Sequence, residues 1–245
     1  MAGHSKWHNI QARKSVQDAK KSKFFTKVTK ELMLAARAGG ADTALNVRLK
    51  SAIAAAKAVN LPKDKIEQAI KKGTGELAGE NLEEVMYEGY GPGGVAILVE
   101  AATDNRNRTV AEVRHMYSKG GGAMGEAGCV SWMFAQKGVF SFPKTFTEDQ
   151  LMEIGLEHGV EEIMDEGEVW EVHCAPADFE PLQAAFEAAG MVSDDAEIAM
   201  VPANVVSLDL ENGQKLLRLI DLLEDNEDVQ KVHTNGDLPD EMLGE

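Results

Sequence analysis

The chain has 245 residues, of which 44% are hydrophobic and 27% charged, which is the composition of a folded protein of two or three domains and excludes a disordered or fibrous chain. No apolar run approaches membrane-spanning length, and the first residues lack the apolar core of a signal peptide. With only two widely separated cysteines, these features predict a cytoplasmic protein.

The net charge of −16 is distributed very unevenly along the chain. Residues 1–75 contain 16 lysines and arginines against 5 acidic residues, whereas the remainder contains 9 against 36. From Thr145 to Gln214 there is no lysine or arginine, but there are 18 acidic residues. Because attraction to phosphate depends on the local field, the first third is expected to bind nucleic acid despite the acidic total.

The first third is predicted to form three helices. Apolar residues recur every three or four positions from Asp18 to Ala36, and the first helix is expected to end at the following Gly39-Gly40 pair. In this helix Lys20, Lys23, Lys27 and Lys30 fall within an arc of roughly 80°, nearly opposite the apolar stripe. The second helix is predicted over Leu45–Val59, and the third begins near Pro62 and ends at Gly73 to Gly75.

Residues 76–94 are predicted to be a linker and turn, after which strands and helices alternate. Two β-α-β units and an insert between them account for the pattern. The first unit is predicted as strand Val95–Ala101, helix Thr109–Ser118 and strand Val130–Ala135, and the second as strand Val205–Leu210, helix Gly213–Glu224 and strand Val229–Thr234. In the insert, the predicted strands are Val139–Phe142, Val169–Cys174 and Glu197–Val201, and the predicted helices are Thr147–His158 and Phe179–Ala189. Thr109 and Glu112 are expected to form a capping box.

The predicted fold class is therefore α+β with three domains, the third inserted into the second. The domain boundaries are predicted as a basic helical domain at 1–75, a split β-α-β domain at 76–136 and 205–245, and an inserted acidic α+β domain at 137–204.

The N-terminal arm and first helix are the principal candidate site. Residues 1–30 hold eight cations and a single acid, Asp18, which favours a phosphate-binding surface over an ordinary solvated helix face. Trp7 has two interpretations, stacking on a base or filling a small core. The candidate nucleic-acid-binding residues here are Lys6, Trp7, Arg13, Lys14, Lys20, Lys21, Lys23, Lys27 and Lys30.

A second candidate is the stretch from Thr103 to Thr109, which contains Arg106 and Arg108 just before a predicted helix. Loop arginines and helix N–H groups can bind an anion. Alternatively, Asp104 and the arginines form a local salt-bridge network.

No constellation points to catalysis, a metal or a cofactor. The Gly120–Gly128 loop lacks the Lys-Ser/Thr of a P-loop, and the six histidines show no ligand spacing with Cys129 or Cys174. We therefore expect a non-enzymatic protein without a bound cofactor or metal.

Several longer motifs resemble those of the YebC/PmpR family. They are MAGHSKW at residues 1–7, Gln17–Lys20, Phe25–Lys27, Asn60–Asp64, Ala69–Gly73, Tyr87–Gly94, Thr103–Thr109 and Trp132–Phe134. The resemblance covers essentially the whole chain and implies a helical domain followed by two α+β domains. It also implies a nucleic-acid surface that includes Lys6, Trp7, Arg13, Lys14, Lys20 and Lys23. Members of the family are described as DNA-binding transcriptional regulators or, including mitochondrial relatives, as translational activators that act on the ribosome, in bacteria at stalled proline-rich stretches.

The predicted function is a nucleic-acid-binding regulator of gene expression, with two possible working targets. The predicted third helix offers phosphate-binding lysines and Gln68 but no clear base-reading pattern. The long acidic segment would also be repelled by an extended duplex, so the charge distribution slightly favours ribosomal RNA over promoter DNA. The segment from Thr145 to Gln214, which we call the acidic lobe, is expected to face away from the nucleic acid, or to contact the ribosome or a basic protein. The alternative is a protein-interaction adaptor in which the acidic lobe is the working surface.

Overall fold

The structure is a computed structural model that describes residues 21–79 and 81–242, with their side chains except at positions 21, 22 and 240. Within these residues, no helix combines the length and apolar character needed to cross a membrane. The fold consists of two compact units. The split unit comprises residues 21–130 and 211–234, and the inserted unit comprises residues 131–210 and 235–242.

The main elements of the described chain are as follows in sequence order. They are α1 (Lys21–Gly39), α2 (Val47–Ala58), α3 (Lys63–Gly73), β1 (Glu83–Tyr90), β2 (Ala96–Thr103), α4 (Arg106–Lys119), β3 (Ala123–Met124), β4 (Phe134–Pro143), α5 (Glu148–Gly155), β5 (Val160–Asp165), β6 (Val169–Cys174), α6 (Phe179–Ala188), β7 (Asp195–Pro202), β8 (Val206–Ser207), α7 (Leu210–Glu224), β9 (Val229–Thr234) and β10 (Gly236–Asp237).

Helix α1 is the centre of the helical region, and both α2 and α3 pack against it. Five consecutive α1 residues, 32 to 36, are buried, so the helix is covered on several sides rather than along one stripe. Asn46 begins α2: its side chain accepts a hydrogen bond from the Leu49 N–H (3.0 Å) and donates to the Ala35 carbonyl (2.8 Å). The cap therefore fixes α2 to α1 as well as satisfying its first turn.

The sheet of the split unit has the strand order β3-β1-β2-β9, and its neighbouring strands are antiparallel. Helices α4 and α7 supply its apolar cover. Tyr117 of α4 is fully buried and donates to the Ile97 carbonyl of β2 (3.1 Å), while Gly91, just after β1, lies against Leu216 of α7. The chain leaves this unit after Val130 and returns at Glu211.

The inserted unit contains a second antiparallel sheet, with the order β5-β6-β4-β7. Helices α5 and α6 cover it with an aromatic core, in which Phe140 packs 4.8 Å from Phe179 and Phe142 packs 4.7 Å from Phe186. Thr147 begins α5 with a capping box to Gln150.

The structure confirms the fold class, a helical N-terminal region followed by α+β parts, but corrects several elements. The predicted linker contains strand β1, and strand β5 was not predicted. The predicted strands Val130–Ala135 and Val139–Phe142 are a 3-10 turn followed by the single strand β4. The strand predicted over Val205–Leu210 is reduced to two residues, because Leu210 already begins α7.

The two predicted β-α-β units are therefore wrong in detail. Strands β4 and β8 both belong to the inserted unit, so each predicted unit contributes only one of its strands to the sheet of the split unit. The exact domain boundaries stay predictions.

Candidate nucleic-acid interface

Helices α2 and α3 carry most of the exposed positive charge in the described part of the helical region. Their buried faces are apolar, with Leu49, Ala52 and Ala56 on α2 and Ile66 and Ala69 on α3. Six lysines occupy exposed positions on the same two helices, which are Lys50, Lys57, Lys63, Lys65, Lys71 and Lys72.

Few acidic residues lie on the same two helices as these lysines. The acidic residues of the two helices are Asp64 and Glu67, and of the six lysines only Lys63 forms an ion pair with another described residue, at 3.8 Å from Glu67. Lys50 and Lys57 are two turns apart on α2, as are Lys65 and Lys72 on α3, so each pair shares a helix face. Ammonium groups that are exposed and unpaired within the described chain are available to phosphate.

The lysines of α1 have different surroundings. Lys27 donates to the Glu224 carbonyl at the last residue of α7 (2.6 Å), and Lys23 lies 3.5 Å from the Asp225 carboxylate. Helix C-termini carry unsatisfied carbonyls and partial negative charge, so they attract cations. The described lysines of the predicted arc, Lys23, Lys27 and Lys30, thus contact the turn after α7, which we call the acidic turn (Glu224–Asp228).

Lys30 lies inside the protein, with 8% of its surface exposed. Its ammonium uses all three N–H donors, to the Asp228 carboxylate (2.5 Å) and to the carbonyls of Ala102 and Glu227 (3.1 Å each). The helical wheel placed Lys30 in an exposed row, which is wrong, because the wheel assumed that only one side of α1 is covered. Removing one partner of such a buried pair costs about 3–5 kcal/mol, whereas an exposed pair contributes about 0–1 kcal/mol.

Asp228 also binds the motif that begins α4. Its carboxylate lies 2.7 Å from the guanidinium of Arg108 and 2.7 Å from the Thr109 hydroxyl. Burial alone would raise the pKa of Asp228, but the hydrogen bonds from Lys30, Arg108 and Thr109 outweigh it and lower that pKa to about 2. Asp228 therefore joins α1 to the start of α4 as a group that is charged at neutral pH.

Arg106 and Arg108 consequently differ in whether they form ion pairs with other described residues. Arg108 pairs with Asp104 (2.8 Å) and Asp228, which is the salt-bridge interpretation of the motif. Arg106 is exposed and forms no ion pair with another described residue, so its guanidinium remains available to an anion. The predicted capping box at Thr109 is wrong: Asn105 caps α4 by accepting from the Arg108 N–H (3.1 Å), and Thr109 is fully buried beside Asp228.

Five of the predicted site residues lie outside the described residues, namely Lys6, Trp7, Arg13, Lys14 and Lys20, as does the side chain of Lys21. Their roles stay predictions. In place of the engaged α1 lysines, the structure exposes the lysines of α2 and α3, which were not included among the predicted site residues. Their signal in the sequence is the scarcity of acids across 45–75. The sequence indicates phosphate contacts for the lysines of the third helix, which are not counted among the site residues, and no prediction covers those of α2.

Within the described chain, no group of three histidine, cysteine or acidic side chains is arranged to hold a metal ion. Buried polar groups instead form local pairs. His173 lies 2.7 Å from Glu171 inside the inserted unit, and His233 lies 2.9 Å from Glu100 in the split unit. The two cysteines do not form a disulfide, and burial raises the pKa of the Cys174 thiol to about 11, which disfavours the reactive thiolate.

A basic helical region joined to an α+β part that is interrupted by a second α+β unit defines the structural class of the protein. Family models for the TACO1/YebC N-terminal domain and for the TACO1/YebC second and third domain match residues 5–76 and 82–236. The chain belongs to the TACO1/YebC family.

Similar proteins cover the chain from end to end. A probable transcriptional regulatory protein of Solidesulfovibrio magneticus is 92% identical over 244 residues, with all of both chains covered, and one of Maridesulfovibrio salexigens is 62% identical, covering 100% of this chain and 99% of that protein. The crystal structure of a conserved hypothetical protein from Aquifex aeolicus superposes with a TM-score of 0.81 at 43% identity, covering 93% of this chain and 95% of that one. The names of the first two relatives describe regulators of gene expression.

Proposed function

We propose that this protein is a non-enzymatic regulator of gene expression that binds the phosphate backbone of nucleic acid through the exposed lysines of α2 and α3. One observation carries the proposal: six exposed lysines occupy two neighbouring segments whose acids are only Asp64 and Glu67. Binding of this kind releases counterions from the polyanion and needs no base contacts. The names of the relatives agree with a regulatory role.

Within this class, RNA accessible on ribosomal particles fits better than an extended DNA duplex. A reader of the major groove normally presents Arg, Asn or Gln side chains to base edges. The exposed side of α3 presents four lysines and Gln68, which suits phosphate more than bases. The segment from Thr145 to Gln214, with its 18 acidic residues, would also be repelled by any polyanion long enough to reach it.

DNA regulation is the second candidate, and the names of the relatives support it. A local contact by α2 and α3 with a short duplex segment is compatible with the same lysines. The two candidates differ in whether binding is selective for one promoter sequence.

The test is a comparison of affinities for single-stranded RNA, hairpin RNA and duplex DNA of matched length. The variant Lys65→Glu/Lys71→Glu/Lys72→Glu should bind RNA at least tenfold more weakly, because each replaced lysine no longer neutralises a phosphate. The slope of its log–log salt dependence on a single strand should flatten by roughly 0.7 for each phosphate that is no longer neutralised. All three positions are exposed, so the fold should be retained.

The matched control makes the same charge change on α4 and α7, with Arg114→Glu/Lys119→Glu/Arg218→Glu at exposed positions. It should weaken binding far less. Equal losses of affinity in both variants would mean that net charge alone governs binding and would overturn the proposed surface. Sedimentation of lysate should place the wild-type protein with ribosomal particles and the α3 variant at the top of the gradient. A wild-type protein that stays at the top while selecting one promoter over scrambled DNA would establish the DNA interpretation.

A further inference from the structure

The acidic turn resembles a short polyanion seated on the lysines of α1. It combines the carboxylates of Asp225, Glu227 and Asp228 with the carbonyl oxygens at the end of α7. A nucleic-acid backbone offers the same chemistry, closely spaced anionic oxygens. The turn comes from a part of the chain about 200 positions away from α1, since the Lys27 and Lys30 contacts to Glu224 and Glu227 each span a sequence separation of 197.

The two ion pairs between α1 and the acidic turn differ in how readily they can exchange partners. Lys30 and Asp228 are both buried, with 10% and 7% of their side chains exposed, so separating them would leave charges without solvent or partner. Lys23 and Asp225 have 37% and 56% of their side chains exposed and stand 3.5 Å apart. An exposed pair at this distance is held weakly and can trade partners with a solvent anion.

We infer that the acidic turn is an intramolecular competitor for nucleic acid, which occupies Lys23 through Asp225 and is displaced from it when a phosphate backbone binds α1. The inference rests on the proposed function, because it assumes that this protein binds polyanions. Lys30 and Asp228 act as the fixed end of the contact, and Lys23 and Asp225 as its exchangeable end. The competitor weakens binding to short or isolated phosphates and favours ligands that engage α2 and α3 at the same time.

The double variant Asp225→Asn/Glu227→Gln removes the competing charges at two exposed positions and leaves Asp228 intact. It should bind single-stranded RNA about two- to fivefold more tightly at low salt, the range expected for releasing an exposed ion pair. The control Glu83→Gln/Glu126→Gln removes the same charge from exposed positions elsewhere in the split unit. It should give a smaller gain.

The decisive step is to repeat both measurements in a Lys23→Gln background. If Asp225 acts by occupying Lys23, the gain in affinity disappears there, because the lysine that it releases is absent. A gain that persists in full without Lys23, or one that the control reproduces, overturns the inference.

Failure of the proposed function has a different signature. In that case the variant Lys65→Glu/Lys71→Glu/Lys72→Glu would bind RNA with the same affinity as the wild-type protein. An unchanged affinity of the Asp225→Asn/Glu227→Gln variant, with wild-type binding still dependent on α3, would overturn only the competitor.

Discussion

The two sets of cations in the helical region are alike in sequence and opposite in surroundings. Lys23, Lys27 and Lys30 on α1 contact the acidic turn, whereas the lysines of α2 and α3 face solvent. The arginines follow the first pattern: Arg48 binds Glu31 (2.7 Å) and Glu84 (2.6 Å), and Arg37 donates to the Leu82 carbonyl (2.6 Å). The cations of the helical region therefore fall into two groups. One group holds segments of the protein together, and the other forms an exposed positive surface.

The distinction arises from the position of each helix. Helix α1 is surrounded by α2, α3 and the acidic turn, so its polar side also needs partners inside the protein. Helices α2 and α3 are covered on one side only. Counting charges along the chain identifies the basic region but cannot assign each cation to one purpose.

The largest predicted contrast is between Lys30→Ala and Lys65→Ala. The first leaves Asp228 buried without one of its cations and should lower the free energy of unfolding by about 3–5 kcal/mol. The second should change it by less than about 0.5 kcal/mol, as for other exposed substitutions. Denaturant unfolding measures both. Comparable losses of stability would mean that the burial of Lys30 is not the source of the difference.

Packing beneath the exposed lysines is tested at Gly73, the last residue of α3. A Cβ at this position would collide with the Met33 carbonyl oxygen and press on the Ala36 side chain of α1. Gly73→Ala should therefore destabilise the protein by about 2 kcal/mol, because the helices must separate. Gly75→Ala, where the space is open, isolates the effect of a positive φ. If the close approach of the helices causes the loss of stability, the midpoint of thermal unfolding should be lower for Gly73→Ala than for Gly75→Ala.

Acid should selectively weaken the attachment of α1. The pKa of Asp228 is about 2, below its ordinary value near 4, so its contribution is complete above pH 4 and is lost as the pH falls through 2. Allowing for solvent screening, the contribution is about 1–2 kcal/mol. The stability difference between wild type and Asp228→Asn should narrow over this interval. A difference that stays constant from pH 5 to pH 2 would show that the carboxylate charge is not responsible.

The smallest predicted effect concerns Lys23→Ala. Its exposed pair with Asp225 should contribute less than about 0.5 kcal/mol to the free energy of unfolding, and salt should reduce even that. Unfolding at low and high salt tests it. A destabilisation as large as that of Lys30→Ala would place Lys23 among the fixed contacts.

Much of the fold follows from local pattern. The predicted strands Val169–Cys174 and Val229–Thr234 match β6 and β9 residue for residue, because half of the residues in each run are β-branched or aromatic. Strand β1 was missed because its two tyrosines and Gly89 precede a Gly-Pro-Gly-Gly turn and resemble a linker. Gly89 is required there because a side chain would strike the Ala123 carbonyl and Tyr117.

The sequence predicts the candidate site less well than the fold, and the reason is physical. The basic character of residues 1–75 could be predicted, but the engagement of Lys27 and Lys30 depends on backbone carbonyls some 200 positions away. The sequence also leaves two interpretations open for Arg108, since its partner Asp228 is 120 positions away. Contacts between distant segments leave no periodic signal in either segment.

The central claim, that the lysines of α2 and α3 bind the phosphate backbone, is tested most directly by lysine-reactivity footprinting of the wild-type protein with and without bound RNA. Lys65, Lys71 and Lys72 should react freely in the unbound protein and become protected when RNA binds. Lys30 should be unreactive in both states because it is buried, and Lys119 should react in both because it is exposed on α4. RNA bound at saturation with Lys65, Lys71 and Lys72 as reactive as before would contradict the account.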